Sequence, residues 1–270
     1  MAETSPVDLC VVTDVDRTCY KTGFAKLKFL LAVEEEVGVP TTEISREVDA
    51  RRDQGKTTQI TDWIKEIGAA NHLDNVFQRF VDTTSPEEVL YEDFPPFLHA
   101  VEESDVAVAV LLTMGPTLHQ EAKICTMGIQ SRLPYVIVNP ETTLRADVKD
   151  WQVRSWRHAD SGLIYPPQAH PILWGGAVAV APPARNAIMV EDKYQAFGTG
   201  SSRPEPNNAP GIGGFWIDRP EERKRSLSQA ERDMLPESIV YAEGLNAVTA
   251  MIRDLHAHEG HPMFRQFTTK

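Results

Sequence analysis

The sequence predicts an α/β fold: a parallel sheet flanked by helices, with a helical unit inserted after the first strand. Three observations predict it. The run Val106-Ala-Val-Ala-Val-Leu-Leu112 is continuously apolar, as expected of a strand buried on both faces of a parallel sheet. Such runs alternate along the chain with segments of helical period, and strands joined by helices form parallel sheets through right-handed crossovers. Three of the apolar runs lead into polar residues, at Asp14, Thr113 and Asp192, and ligands of such sheets bind at the carboxyl ends of the strands.

The first strand, Val7 to Val12, is apolar but for Asp8. A helix follows over 22–37, where Phe24, Leu27, Leu30, Leu31 and Val37 recur near the helical period. Gly38 and Pro40 stop it. Thr41 or Thr42 caps a second helix to about Arg52, a third spans about Thr58–Ile67, and a fourth spans Leu73–Asp82. Residues 83–92 are turn-rich and then acidic. The block 22–93 lacks strand signals and reads as the inserted helical unit, leaving 1–21 and 94–270 to form the sheet core.

In that core a short helix begins at Phe94-Pro95-Pro96-Phe97 and runs through Glu103. The strand from Val106 ends at Thr113, before Met114-Gly115-Pro116. The next helix, about Leu118 to Met127, meets Gly128, a residue suited to a left-handed C-cap. Pro134 to Val138 and Ala187 to Val190 read as strands, the second followed by Glu191-Asp192-Lys193. Residues 140–169 give no clear pattern, and His170–Val180 reads as a helix weakened by Gly175-Gly176. Residues 197–214 are rich in Gly, Pro, Ser and Asn and read as a long exposed loop. Phe215-Trp216-Ile217 and Ser238–Tyr241 are the last strands, and Leu245–Leu255 is the last helix.

With 270 residues and 41% hydrophobic content, the chain can build a core and carry a smaller inserted unit. A formal net charge of −12 argues against a nucleic-acid partner, because phosphate backbones are met by clustered Lys and Arg. A small anionic substrate stays open, since a bound metal supplies positive charge locally. The three cysteines, Cys10, Cys19 and Cys125, form no CxxC pair and fit free thiols in a reducing compartment. No basic segment followed by an apolar stretch opens the sequence, and no apolar run approaches the ~20 residues of a membrane span. A soluble cytoplasmic protein with no membrane partner is expected.

The stretch Leu9-Cys10-Val11-Val12-Thr13-Asp14-Val15-Asp16-Arg17-Thr18 carries the strongest chemical signal. Residues two apart in an extended chain share a side. Asp14 and Asp16 therefore bring two carboxylates together if strand geometry persists past Thr13. Carboxylates that close repel each other unless a cation lies between them. Oxygen ligands of this kind suit Mg²⁺, and one carboxylate can also attack phosphorus. A strand that simply ends in Asp-rich turn chemistry is the plainer alternative.

The same stretch resembles the first motif of the haloacid dehalogenase-like (HAD) superfamily, a hydrophobic strand followed by Asp-x-Asp-x-Thr. The second motif, a hydrophobic strand ending in Ser or Thr, is similar to Leu112-Thr-Met-Gly-Pro-Thr-Leu-His-Gln-Glu-Ala-Lys. Val190-Glu191-Asp192 is similar to the fourth motif, Gly211–Arg219 resembles the strand after it, and Glu237–Ile252 the final strand and helix. The helical unit stands where the family places its C1-type cap.

The resemblance implies a Rossmann-like parallel core with an inserted helical cap. It implies Asp14 as nucleophile, Asp16 as general acid and base, and Thr113 as a hydrogen-bond donor to the phosphoryl oxygens. Mg²⁺ is implied as cofactor, held by Asp14, Asp192 and the backbone carbonyl of Asp16. Arg17 and Thr18, with Met114 and Gly115, are the candidate substrate contacts of the two motif loops. In the cap, Lys56 of the loop Arg52–Thr57 is a further candidate, because an acidic protein that binds an anion needs local positive charge. Dehalogenases of the superfamily lack an aspartate two residues after the nucleophile. Asp16 therefore favours a Mg²⁺-dependent phosphatase acting on a small phosphorylated metabolite through an aspartyl-phosphate.

Two departures stand out. Arg17 occupies a position where the family usually has Gly. The lysine of the third motif is missing from Tyr165-Pro-Pro-Gln-Ala-His-Pro171, where it is due. Lys149 is the first candidate to replace it, since an ammonium on a flexible stem can arrive from an unusual direction. Arg157 and Arg154 come next, and Arg17 could contribute. Lys123 lies more than two helical turns beyond Thr113 and is expected to point away from the strand end. If no cation fills the place, the alternative is a catalytically weakened HAD-like protein that binds a ligand or a partner. Ala50-Arg-Arg-Asp-Gln-Gly-Lys-Thr57 also fits a relaxed P-loop pattern, but a charged, helix-like segment precedes it instead of an apolar strand.

Overall fold

A computed structural model describes residues 7–54, 59–114, 117–129, 132–133, 136–139, 156–157, 163–165, 184–192, 213–219, 221 and 239–257. Strand β1 (Val7–Asp14) is followed by helices α1 (Thr22–Val37), α2 (Thr41–Asp53), α3 (Ile60–Glu66), α4 (Leu73–Asp82), α5 (Pro86–Val89) and α6 (Phe94–Glu102). Then come β2 (Ala107–Met114), α7 (Thr117–Met127), β3 (Val136–Asn139), β4 (Trp156–Arg157) and β5 (Leu163–Tyr165). Strands β6 (Ala184–Glu191), β7 (Gly213–Ile217) and β8 (Ile239–Ala242) lead to a last helix, α8 (Asn246–Ala257).

The strands form one sheet of eight in the order β4-β5-β3-β2-β1-β6-β7-β8. Every neighbouring pair is parallel except β4 with β5. Strand β1 lies between β2 and β6, with Val12 opposite Val110 and Met189. Leu9, Cys10, Val11 and Val12 are all fully buried, so both faces of β1 are covered and no polar alternation is needed. Each such aliphatic side chain contributes about 1.5–3 kcal/mol by leaving water.

The expected α/β architecture is present, and the differences are local. Strands β4 and β5 fall inside 140–169 and are two and three residues long, too short to show a period. Helix α5 falls in the stretch read as turns. It is set by its cap: Pro86 opens the helix and the Ser85 N–H donates to Glu88 Oε2 at 2.9 Å. The helix expected over His170–Val180 and most of the 197–214 loop lie outside the described residues.

Helices α1 to α5 stand between β1 and β2, with a 3-10 turn at Ala70–His72. Helix α1 ends where expected, at Gly38 with φ +77°, a conformation that suits glycine. Its buried side differs from the expected one. Ala25, Phe29, Leu30, Ala32 and Val33 face inward, while Phe24, Leu27 and Leu31 are exposed. The reason is Phe29. Its ring meets Phe77 and Phe80 of α4 at 5.3 and 5.6 Å and His119 of α7 at 5.1 Å. Aromatic pairs of this kind add about 0.5–1.5 kcal/mol beyond area burial, and they seat the insert on α7. Helix α6 packs on α8 and β2. No helix among the described residues is long and apolar enough to cross a membrane.

Candidate active site

Parallel strands end on one side, and the registers align these ends. Thr13 of β1 pairs with Leu111 of β2 and Val190 of β6. The next residue on β1 is Asp14; β2 continues to Thr113, and β6 to Glu191, with Asp192 just after it. Carboxylate oxygens of Asp14, Glu191 and Asp192 all lie within 4.8 Å of one another. Trp216 of β7 helps fix this corner, its Nε1–H donating to the Asp192 main-chain oxygen at 3.0 Å. Three carboxylates that close favour a cation among them. Hard oxygen donors on a rigid strand frame fit Mg²⁺ in charge and in chemistry.

Asp16 sits on a tight turn after β1. The N–H groups of Cys19 and Tyr20 both donate to the Val15 oxygen, at 3.1 and 3.0 Å, and the Arg17 N–H donates to the Tyr20 oxygen at 2.9 Å. Arg17 takes φ +61°, a left-handed conformation that costs a residue with a Cβ about 1–2 kcal/mol. That cost explains why glycine suits this position in the resembling motif. Its exposed guanidinium reaches Asp192, Nη1 to Oδ2, at 3.9 Å, a pair worth at most ~1 kcal/mol in solvent. Thr18 is fully buried and its main-chain oxygen accepts from Arg219. That bond supports the turn.

Lys123, expected to point away from the strand end, reaches Asp16 instead. Its Nζ donates to both oxygens of Asp16 at 2.7 Å, and its side chain is only 5% exposed. The Tyr20 ring lies 5.6 Å from the ammonium. The Tyr20 hydroxyl bonds Thr126 at 2.8 Å, and Thr126 donates to the Lys123 main-chain oxygen. Lys123 does not point away from the strand end, because helical side chains lean toward the helix N-terminus. On α7 that direction is back toward β2. Gln120, one turn earlier on the same helix face, accepts from the Thr113 hydroxyl at 2.8 Å. The Thr22 hydroxyl also donates to Asp16, at 2.7 Å.

Two neighbours are quiet. The Cys19 thiol donates to the Asp14 main-chain oxygen at 3.1 Å. Burial, then the charge of Asp14, pushes its pKa well above the ordinary thiol value, so it is no nucleophile. Burial, then Lys123, pushes His119 down to about 4, so its ring is neutral at pH 7. Of the other candidates, Lys149, Lys56, Gly115 and the side chains of Met114, Arg154 and Arg157 lie outside the described residues. Sequence reasoning set Lys123 aside and passed over Gln120 and Arg219. The signal for the first two was present: Gln120 and Lys123 are polar residues one turn apart on a helix that also buries Ala122, Ile124 and Met127.

No protein-family model and no curated protein sequence matches the chain. Solved structures do. One, described as a haloacid dehalogenase-like hydrolase from Burkholderia xenovorans LB400, is 13% identical with a TM-score of 0.56, over 92% of this chain and 98% of its own. Another, the HAD-hydrolase YfnB from Bacillus subtilis bound to magnesium, is 12% identical with a TM-score of 0.51, over 92% of this chain and 99% of its own. The chain has the haloacid dehalogenase-like fold.

Proposed function

We propose that the chain is a Mg²⁺-dependent phosphohydrolase that cleaves a small phosphate monoester through an aspartyl-phosphate on Asp14. Residues 22–93, carrying α1 to α5, act as its cap. The observation that carries this reading is the meeting of Asp14, Glu191 and Asp192 at one strand-end corner. Beside that corner Asp16 is held by Lys123.

Charge supports the metal. Among the described residues, Asp14, Asp16, Glu191 and Asp192 are opposed by Lys123 and the exposed Arg17. A dianionic phosphate would be repelled from that surplus at short range. Asp14, Asp192 and the Asp16 main-chain oxygen are the ligands proposed for Mg²⁺, which when bound offsets charge on the phosphoryl oxygens.

The steps assigned to this chain follow. An Asp14 oxygen attacks phosphorus, and the bond from phosphorus to the ester oxygen breaks. Asp16, as the acid, gives its proton to that departing oxygen. Asp16, now a carboxylate, takes a proton from water as the water oxygen attacks phosphorus. The bond from Asp14 to phosphorus breaks, releasing phosphate and restoring the carboxylate. Lys123 moves from Asp16 to the incoming phosphoryl oxygens, which frees an Asp16 oxygen to carry the proton. Thr113 contributes its hydroxyl. Turning the Gln120 amide over puts its NH₂ on Thr113 Oγ1 and releases the hydroxyl proton for the phosphoryl group. The binding-only alternative rested on a missing cation, and Lys123 beside Asp16 supports the phosphohydrolase reading over it.

The test is hydrolysis of 4-nitrophenyl phosphate with Mg²⁺ or with a chelator. Turnover is expected only with Mg²⁺. Asp14→Asn, which changes little volume, is expected to keep the circular-dichroism melt and lose turnover by at least about 10⁴-fold. Turnover of Asp14→Asn close to that of the unmodified chain overturns the reading.

A further inference from the structure

A second charge pair is buried beneath the Asp16 turn. Arg219, just past β7, donates from Nη1 to Asp93 Oδ2 at 2.7 Å and from Nη2 to Asp93 Oδ1 at 2.8 Å. The two side chains are 6% and 11% exposed. The guanidinium lies over the Tyr91 ring, 3.9 Å from its centroid. Asp93 Oδ2 also accepts the Leu245 N–H at 2.7 Å. Gly244 makes room for this: a Cβ there would lie 2.2 Å from Asp93 Oδ2, an oxygen pinned by two donors. Nη2 of Arg219 donates a second time, to the Thr18 main-chain oxygen at 2.5 Å.

Thr18 belongs to the turn that carries Asp16. The rest of that turn is tied to the chain returning from the insert. The Tyr91 N–H donates to the Cys19 oxygen at 3.1 Å, and the Lys21 N–H donates to the Val89 oxygen at 2.7 Å. Asp14 needs no such ties, because it ends the central strand. Asp16 depends on them, because its turn contains a residue in the left-handed region.

We infer that Arg219, locked by Asp93, is a positioning residue that holds Asp16 in register with Asp14. The inference rests on the phosphohydrolase reading of the site. A buried ion pair by itself is weak evidence for stability. What singles this one out is the fork of the guanidinium, which reaches both a carboxylate and a main-chain oxygen. A lysine ammonium is a point charge and cannot reproduce that geometry. Proton transfer to a departing oxygen is sensitive to displacements of about 1 Å.

The experiment compares kcat/KM, which reports the leaving-group step without the shared hydrolysis of the intermediate, for a graded series from 4-nitrophenyl phosphate to phenyl phosphate in the unmodified chain, Arg219→Lys and Asp93→Asn, each scaled to the folded fraction from its melt. A good leaving group departs without a proton, and a poor one needs Asp16. Both variants are expected to lose about tenfold more on phenyl phosphate than on 4-nitrophenyl phosphate, the size of a partly lost general acid. The Mg²⁺ requirement stays close to that of the unmodified chain. Equal losses along the series, or none, overturn the inference and leave Arg219 a stabilising residue. So does the failure of both variants to fold. An unmodified chain inactive on the whole series overturns the phosphohydrolase reading and this inference with it. An active one whose variants keep the same slope overturns this inference alone.

Discussion

Lys123 holds both oxygens of Asp16 from a nearly closed pocket, with the Tyr20 ring beside its ammonium. Lys123→Met keeps most of the stem's volume and removes the charge. It is expected to lower kcat by about a hundredfold or more, as for other lost electrostatic donors, with Lys123→Arg recovering part of it. Steady-state kinetics beside a thermal melt check this. Turnover of Lys123→Met close to that of the unmodified chain would return the role to another cation, Lys149 first. Asp14, Thr113 and Asp192 were legible because each follows an apolar run, and a strand end fixes where its next residues go. Lys123 was not, because its place depends on how α7 lies and on the backward lean of helical side chains. Arg219 and Asp93 were not legible either. They stand 126 residues apart, and no local pattern joins two charges across that separation.

Helix α7 shows why period alone does not assign a face. His119, Gln120 and Lys123 turn toward the insert and the strand ends, where each meets a partner from another element. Periodicity likewise found α1 but not its inward side, because Phe29 is chosen by the rings of α4 and not by its neighbours in sequence. The seam between α1, α4 and α7 carries a pH signature. His119 faces Phe29 and Phe77, and the charges that reach it are Lys123 and Asp16. Its pKa falls from 6.5 to about 4 in the fold, so the unfolded chain takes up the proton first. The stabilisation from keeping His119 neutral is complete above pH ~6.5 and is lost as pH falls toward ~4. It amounts to about 3 kcal/mol at most. His119→Phe is expected to flatten the fall in stability between those pH values. Urea titrations of both chains at several pH values measure it, and parallel profiles would remove His119 from the seam's acid response.

The sheet brings three separate stretches of sequence to one corner, and the insert packs on α7 through α4 and α5. On the proposed reading, a chain of net charge −12 would meet a phosphate through a cation among its carboxylates and the buried Lys123, without basic residues spread over its surface. The central claim is that Asp14 itself takes the phosphoryl group. In Asp16→Asn the second step lacks its base, so the covalent species formed from 4-nitrophenyl phosphate accumulates. The most direct measurement is peptide mass spectrometry of that variant after acid quench, with Mg²⁺ and with chelator. The account predicts one phosphoryl group on the peptide carrying Asp14, formed only with Mg²⁺ and absent when Asp14 is also changed to Asn. Release of 4-nitrophenol with no phosphorylated peptide, or with the phosphoryl group on another residue, would contradict it.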